Sequence, residues 1–288
     1  MPRLSSFIRE RSSPLDPQPT SLQPHLPKLD GIRCVAFDIY GTLVVSGSGD
    51  IGLTDATQKE TALRAILADL DFPPLPANPA LTARFLELIR ASHQASKREG
   101  IPYPEVEVRE LWSTLLQELH PDRHTTPDEV EAIAVAYELA TNPVWPMPGA
   151  AEILTTLRDR GLPLGIVSNA QFYTPLLFEA FFDTTLAQFG FRPDLSFFSY
   201  QHRRGKPGTW LYEQLRDALA TLHLTPHQTL FVGNDALKDI HPAASLGFRT
   251  ALFAGDLRSL RLHSDNKDLL LPPTATITHL HQLAQIVA

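Results

Sequence analysis

The chain has 288 residues, 43% of them apolar and 20% charged, and carries a formal net charge of −7. That length holds one large domain or two smaller ones, and the apolar share supplies a sizeable core. The acidity is spread without long runs of one sign, which argues against nucleic acid or an anionic membrane as the main partner. No stretch of about 18 apolar residues is present, so no spanning helix is expected. Residues 1–29 are rich in Pro and Ser, lack a secretory apolar region, and read as a flexible arm.

The first strand signal is Cys34-Val35-Ala36-Phe37, four apolar residues followed at once by Asp38 and then by a turn at Gly41. Cys34 is the one cysteine, and its place in this run points to a buried structural role in a reducing compartment, with the cytoplasm as the expected location. Val44 to Asp50 reads as a Gly/Ser loop. From Thr54 to about Leu139 the pattern becomes helical, with candidate helices at 79–97, 105–119 and 127–139 after a first one around Leu63, Ile66, Leu67 and Leu70. Prolines at 73, 74, 76 and 121 separate them. No convincing strand interrupts this insert of roughly 90 residues, a size compatible with a small domain.

Strand and helix then alternate. A helix over 149–160 precedes the strand Leu164 to Val167, which ends in Ser168-Asn169. A strand over 196–200 leads into the basic loop His202 to Pro207, which contains Lys206. A helix over 209–222 precedes the strand Thr229 to Val232, which ends in Gly233-Asn234-Asp235. A helix over 239–246, a strand at 250–253, a weak strand at 275–277 and a terminal helix complete the chain. This alternation predicts a doubly wound parallel sheet with helices on both faces. The expected organisation is an arm at 1–29, an α/β core at 30–48 and 143–288, and a helical cap at 49–142.

Four polar clusters fall at or just past strand ends: Asp38 to Thr42, Ser168-Asn169, Lys206, and Asp235 with Asp239. Open α/β sheets bind ligands at that edge. A carboxylate there can act as a nucleophile. Ser and Asn can donate hydrogen bonds to an anion, Lys206 can stabilise negative charge, and Asp235 and Asp239 offer oxygens to Mg2+.

This order and spacing resembles the haloacid dehalogenase superfamily, over about Ile32 to Phe253. The resemblance implies a doubly wound core with a helical cap inserted after the first motif. It implies Asp38 as covalent nucleophile, with Ser168 and Lys206 holding the reacting group. Tyr40, Thr42 and Asn169 are taken as substrate-binding. A Mg2+ ion would sit on Asp38, the Tyr40 main-chain carbonyl and Asp235, with Asp239 beside them.

The motifs point two ways within that superfamily. Its phosphatases usually carry a second aspartate two residues after the nucleophile, as acid and base, where this chain has Tyr40. Tyr40, and Tyr212 six residues past Lys206, resemble the metal-independent 2-haloacid dehalogenases. Asp235 with Asp239 resembles the phosphatases, although Asn234 stands where many carry an aspartate. The leading expectation is a Mg2+-dependent phosphatase of a small anionic metabolite. A haloacid dehalogenase is the alternative, and a catalytically weakened binding or regulatory protein is the third reading. The chain is expected to be a monomer or homodimer. Arg64, Arg90, Lys97, Arg98 and Arg109 are cap candidates for a substrate anion. The cap is expected to swing as a lid about the loop Ser46 to Asp50, against a stiff second connection at Pro143 to Pro148.

Overall fold

A computed structural model describes residues 3–47, 56–70, 72–73, 80–263, 265 and 270–287. Helix α1 (Leu4–Arg11) precedes β1 (Cys34–Phe37) and the short β2 (Val44–Ser46). Four helices follow: α2 (Ala56–Asp69), α3 (Leu81–Arg98), α4 (Val108–Leu119) and α5 (Pro127–Thr141). Next come β3 (Val144–Pro146), α6 (Ala150–Asp159), β4 (Leu164–Ser168), α7 (Thr174–Phe182), β5 (Phe191–Phe198), α8 (Ser199–His202) and α9 (Trp210–Thr221). The chain ends with β6 (Thr229–Gly233), α10 (His241–Ser245), β7 (Arg249–Phe253), β8 (Ala275–Ile277) and α11 (Leu283–Ile286).

Six strands form one sheet in the order β5-β4-β1-β6-β7-β8, with every pairing parallel. A parallel sheet covered on both faces needs strands that are apolar throughout. Accordingly β1, β4 and β6 are buried at every position. The order reverses at β1, which has β4 on one side and β6 on the other, so the crevice for a ligand opens at its carboxyl end. This is the doubly wound parallel core with inserted helices that the sequence predicts.

The insert helices α2 to α5 pack on one another around Trp112, which stacks on Phe85 at 4.3 Å between ring centroids, with Tyr137 edge-on to both. Helix α5 starts where the sequence says it must. Thr126 and Glu129 form a capping box and Pro127 takes the first turn. Among the described residues, no helix is long and apolar enough to cross a membrane.

Three features differ from expectation. First, Val44–Ser46 is not loop but strand, paired antiparallel with Val144–Pro146. Gly47 N donates to Pro143 O at 2.7 Å, and Ser46 Oγ donates to Asn142 Oδ1 at 2.8 Å. The two connections to the insert are therefore zipped to each other, which removes the free bend expected at Ser46 and Gly47; the rest of that expected hinge, 48–50, lies outside the described residues. Second, the N-terminal arm is packed. Ile8 of α1 is fully buried and α1 lies against both α5 of the insert and α7 of the core. Farther along, His25 pairs with Thr276 of β8, and Leu29 with Val287 just past α11. Third, α7 was not expected. It carries apolar residues on every side, so no polar stripe gives it a helical period.

Candidate active site

The first motif forms a tight turn. Leu43 N and Val44 N both donate to Ile39 O, and Gly41 takes a left-handed φ of +81°. A β-carbon on Gly41 would lie 2.6 Å from Asn234 Nδ2 and from Ser259 Cβ, so glycine is required for this turn to close against the β6 loop. Asp38 is thereby fixed at the end of β1. Its Oδ1 accepts from Ser168 Oγ at 2.9 Å and from Lys206 Nζ at 2.7 Å.

Lys206 also reaches Asp239 Oδ1, at 2.5 Å. Asp239 Oδ2 in turn accepts from the main-chain N of Asn234 and of Asp235, each at 3.0 Å. The turn after β6 folds back over this carboxylate. A β-carbon on Gly233 would meet Asp239 Cβ at 2.5 Å, which accounts for the glycine. Burial alone would pull the Lys206 ammonium down, but Asp239 and Asp38 outweigh it and hold the charge in place. Burial pushes the Asp239 carboxyl up, with Lys206 opposing.

Asp235 caps the π-helical turn Ala236–Ile240, its Oδ1 accepting from Leu237 N at 2.8 Å and Lys238 N at 2.9 Å. His263 Nε2 lies 2.9 Å from the same oxygen. Thus Asp38 and Asp235 each commit Oδ1, while Oδ2 of each has no hydrogen-bond partner among the described residues.

Asp38, Tyr40, Asn169, Lys206, Asp235 and Asp239 share one cavity of about 220 Å³. The remaining expected residues lie behind it. Ser168 is fully buried and turned onto Asp38. Thr42 is fully buried, its Oγ1 donating to Asn234 Oδ1 at 3.1 Å, so it braces the β6 loop and does not face a ligand. Asn169 binds the Lys206 main chain. Tyr212 is fully buried and donates to Lys238 O at 2.9 Å, again from behind. Tyr40 does line the cavity, with its hydroxyl 2.9 Å from Thr174 Oγ1. Burial, then the nearby Glu138, pushes this phenol up, well above its ordinary value.

The donor set admits Mg2+ in a restricted way. Among the described residues no three His, Cys, Asp or Glu side chains are grouped to hold a metal. Asp239, expected as a further ligand, has both oxygens engaged here, Oδ1 by Lys206 and Oδ2 by the main chain. The free oxygens of Asp38 and Asp235, with the Tyr40 carbonyl, suit an ion that keeps its waters and leans on one or two carboxylates plus substrate.

Sequence reasoning did not single out Glu105, Glu138, Tyr173, Lys238, Ser259 or Arg261, which line the same cavity. Glu105 and Glu138 come from the insert, and Ser259 and Arg261 from a segment with no periodic pattern. The insert cations expected to reach the site do not line it: Arg109 is paired with Glu107 and Glu131, and Arg64 with Glu60.

A family model described as haloacid dehalogenase-like hydrolase matches residues 32–247. Among solved structures the chain is similar to a 2-haloacid dehalogenase from Pseudomonas syringae pv. Tomato DC3000, at 19% identity over 88% of this chain and 97% of that one, with a TM-score of 0.54. It is similar to a defluorinating L-2-haloacid dehalogenase at 20% identity over 91% and 99%, with a TM-score of 0.51. It is similar also to a HAD phosphatase from Thermococcus onnurineus at 17% identity over 88% and 97%, with a TM-score of 0.49. No curated protein matches. At such identities the likeness to the two dehalogenases shows the fold alone.

Proposed function

The chain belongs to the haloacid dehalogenase-like hydrolases, and on that footing we propose that it is a Mg2+-dependent phosphatase of a small phosphorylated metabolite. The observation that carries this reading is the pair of half-engaged carboxylates, Asp38 and Asp235, on one cavity. Asp38 Oδ2 is free to attack, and Asp235 Oδ2, which has no such role, is suited to a cation beside it.

In this reading Asp38 Oδ2 attacks phosphorus, the bond from phosphorus to the ester oxygen breaks, the leaving alkoxide takes a proton from water, and an aspartyl phosphate forms; a second water then attacks phosphorus and releases phosphate and the Asp38 carboxylate. Ser168 and Lys206 hold Oδ1, which leaves Oδ2 as the attacking atom. The Lys206 ammonium also offsets charge on the transferring group. A bound Mg2+, held by Asp235 and the Tyr40 carbonyl beside Asp38, would supply further charge neutralisation. Tyr40 is not the base that frees the enzyme, because its hydroxyl is engaged with Thr174 and its proton is held tightly.

A screen of phosphate esters with Mg2+, including 4-nitrophenyl phosphate, tests the reading. Turnover that is lost in Asp38→Asn with the fold retained is expected. If no ester is hydrolysed, the reading is wrong. Tyr40 favours a second reading, a metal-independent 2-haloacid dehalogenase, since a departing halide needs no proton. Chloride release from 2-chloropropionate in EDTA would replace the first reading with this one.

A further inference from the structure

The cavity has two walls of different charge. From the core come Lys206, Lys238 and Arg261, facing the three carboxylates Asp38, Asp235 and Asp239. From the insert come Glu105 and Glu138, and among the described lining residues no insert Lys or Arg accompanies them. The core wall is balanced and the insert wall is not.

Both glutamates are held in place by neutral donors. Glu105 accepts from Val106 N at 2.9 Å and from Ser199 Oγ at 3.0 Å. Glu138 accepts from Asn142 Nδ2 at 3.0 Å and is bonded by Tyr173, and Asn142 is itself fixed by Ser46 Oγ. Such donors orient a carboxylate without supplying countercharge. The two cations that draw on them, Arg203 and Lys59, do not line the cavity. Arg203, which attracts Glu105, is paired with Glu110, and Lys59 acts on Glu138 from outside the lining. Burial accordingly pushes both carboxyls up. Partly buried carboxylates are ordinarily paired with a cation, and here the open side of both is the ligand cavity.

We propose that the substrate is a phosphorylated amine, its phosphoryl group at Asp38 and Lys206 and its ammonium group between Glu105 and Glu138. This rests on the phosphatase reading above for the phosphoryl end only. The ammonium supplies the charge that the insert wall lacks, and it keeps both glutamates ionised. A substrate with a second anionic group, such as a carboxylate, would set like charge against that wall and be rejected.

A matched pair of esters tests this: 2-aminoethyl phosphate and 2-hydroxyethyl phosphate, alike in size and different in charge. The amine ester is expected to show kcat/KM at least about tenfold higher, the scale of one partly desolvated charge pair. That ratio should fall towards one in Glu138→Gln and in Glu105→Gln, and recover in part in Glu138→Asp. Calorimetric titration of Asp38→Asn with both esters reads the preference without turnover. Equal binding and equal turnover of the two esters in the wild-type chain would overturn the inference, whether or not any variant folds. Tighter binding of the amine ester without hydrolysis of any ester would uphold the ammonium site at Glu105 and Glu138 and overturn the phosphatase reading instead.

Discussion

Asn169 grips Lys206 by its main chain: Asn169 Oδ1 accepts from Lys206 N at 2.8 Å and Nδ2 donates to Lys206 O at 3.3 Å. The side chain at the end of β4 thus sets the backbone of a residue that belongs to the loop after α8. With its backbone fixed, the lysine delivers Nζ between two carboxylates instead of to solvent.

Asn169→Ala should therefore misplace the ammonium without removing it. We expect kcat to fall about 10- to 100-fold, the usual cost of losing an orienting partner, with the melting temperature nearly unchanged. Steady-state kinetics with 4-nitrophenyl phosphate checks this, and wild-type kcat would remove the role assigned to Asn169.

Lys206→Met should destabilise the fold as well as stop the reaction. The side chains of Lys206, Asp38 and Asp239 are 4%, 7% and 2% exposed, so removing the ammonium strands two buried carboxylates. The expected loss is about 3–5 kcal/mol by urea unfolding. Adding Asp239→Asn should restore part of that stability and none of the activity. A double variant no more stable than the single one would show that the pair is not coupled.

Ser46 and Asn142 join the two strands at the root of the insert. A double-mutant cycle of Ser46→Ala and Asn142→Ala should give a coupling energy of roughly 0.5–3 kcal/mol. Additive losses would mean that the contact contributes nothing of its own.

Cys34 should be inert in the folded chain. Burial lifts its thiol from 9.0 to about 12, against the pull of Thr229 and Arg192. The native state therefore holds this proton more tightly than the unfolded chain does. Its contribution to stability is complete below pH 9 and is lost as pH rises from there towards 12. Alkylation by iodoacetamide at pH 8 should proceed only through unfolding, and Cys34→Ser should flatten the alkaline end of the stability curve.

Much of this arrangement is legible in the sequence because buried parallel strands are apolar at every position. Val35 to Phe37, Ile166 to Val167 and Leu230 to Val232 stand out, and Asp38, Asn169 and Asp235, which follow them, line the cavity. Thr42 shows the limit of that reading, since a hydroxyl beside the nucleophile looks like a ligand contact and is in fact a brace for Asn234. Glu105 and Glu138 are silent in the sequence, because a glutamate on an amphipathic insert looks like a solvated one until the neighbouring walls are placed. The N-terminal segment misleads for a different reason. Its composition is that of a solvated tail, but α1 buries Phe7 and Ile8 and the stretch after it docks through the main chain, with His25 N donating to Thr276 O and Leu257 N to Gln18 O, and backbone pairing leaves no trace in composition.

The bond from Gly47 to Pro143 brings together the points where the chain leaves the sheet and where it returns. A gap so narrow can be closed by a short turn at little entropic cost, although the Lys206 loop also leans on the insert through the bond from Gly205 N to Tyr103 O. Recombination at that pair of residues would exchange one set of helices for another in a single step, with Asp38 and Asp239 left as they are and the Lys206 loop losing its bond to Tyr103. Reactivity and selectivity are in this sense separately heritable: a lineage can keep its nucleophile and acquire a new diet.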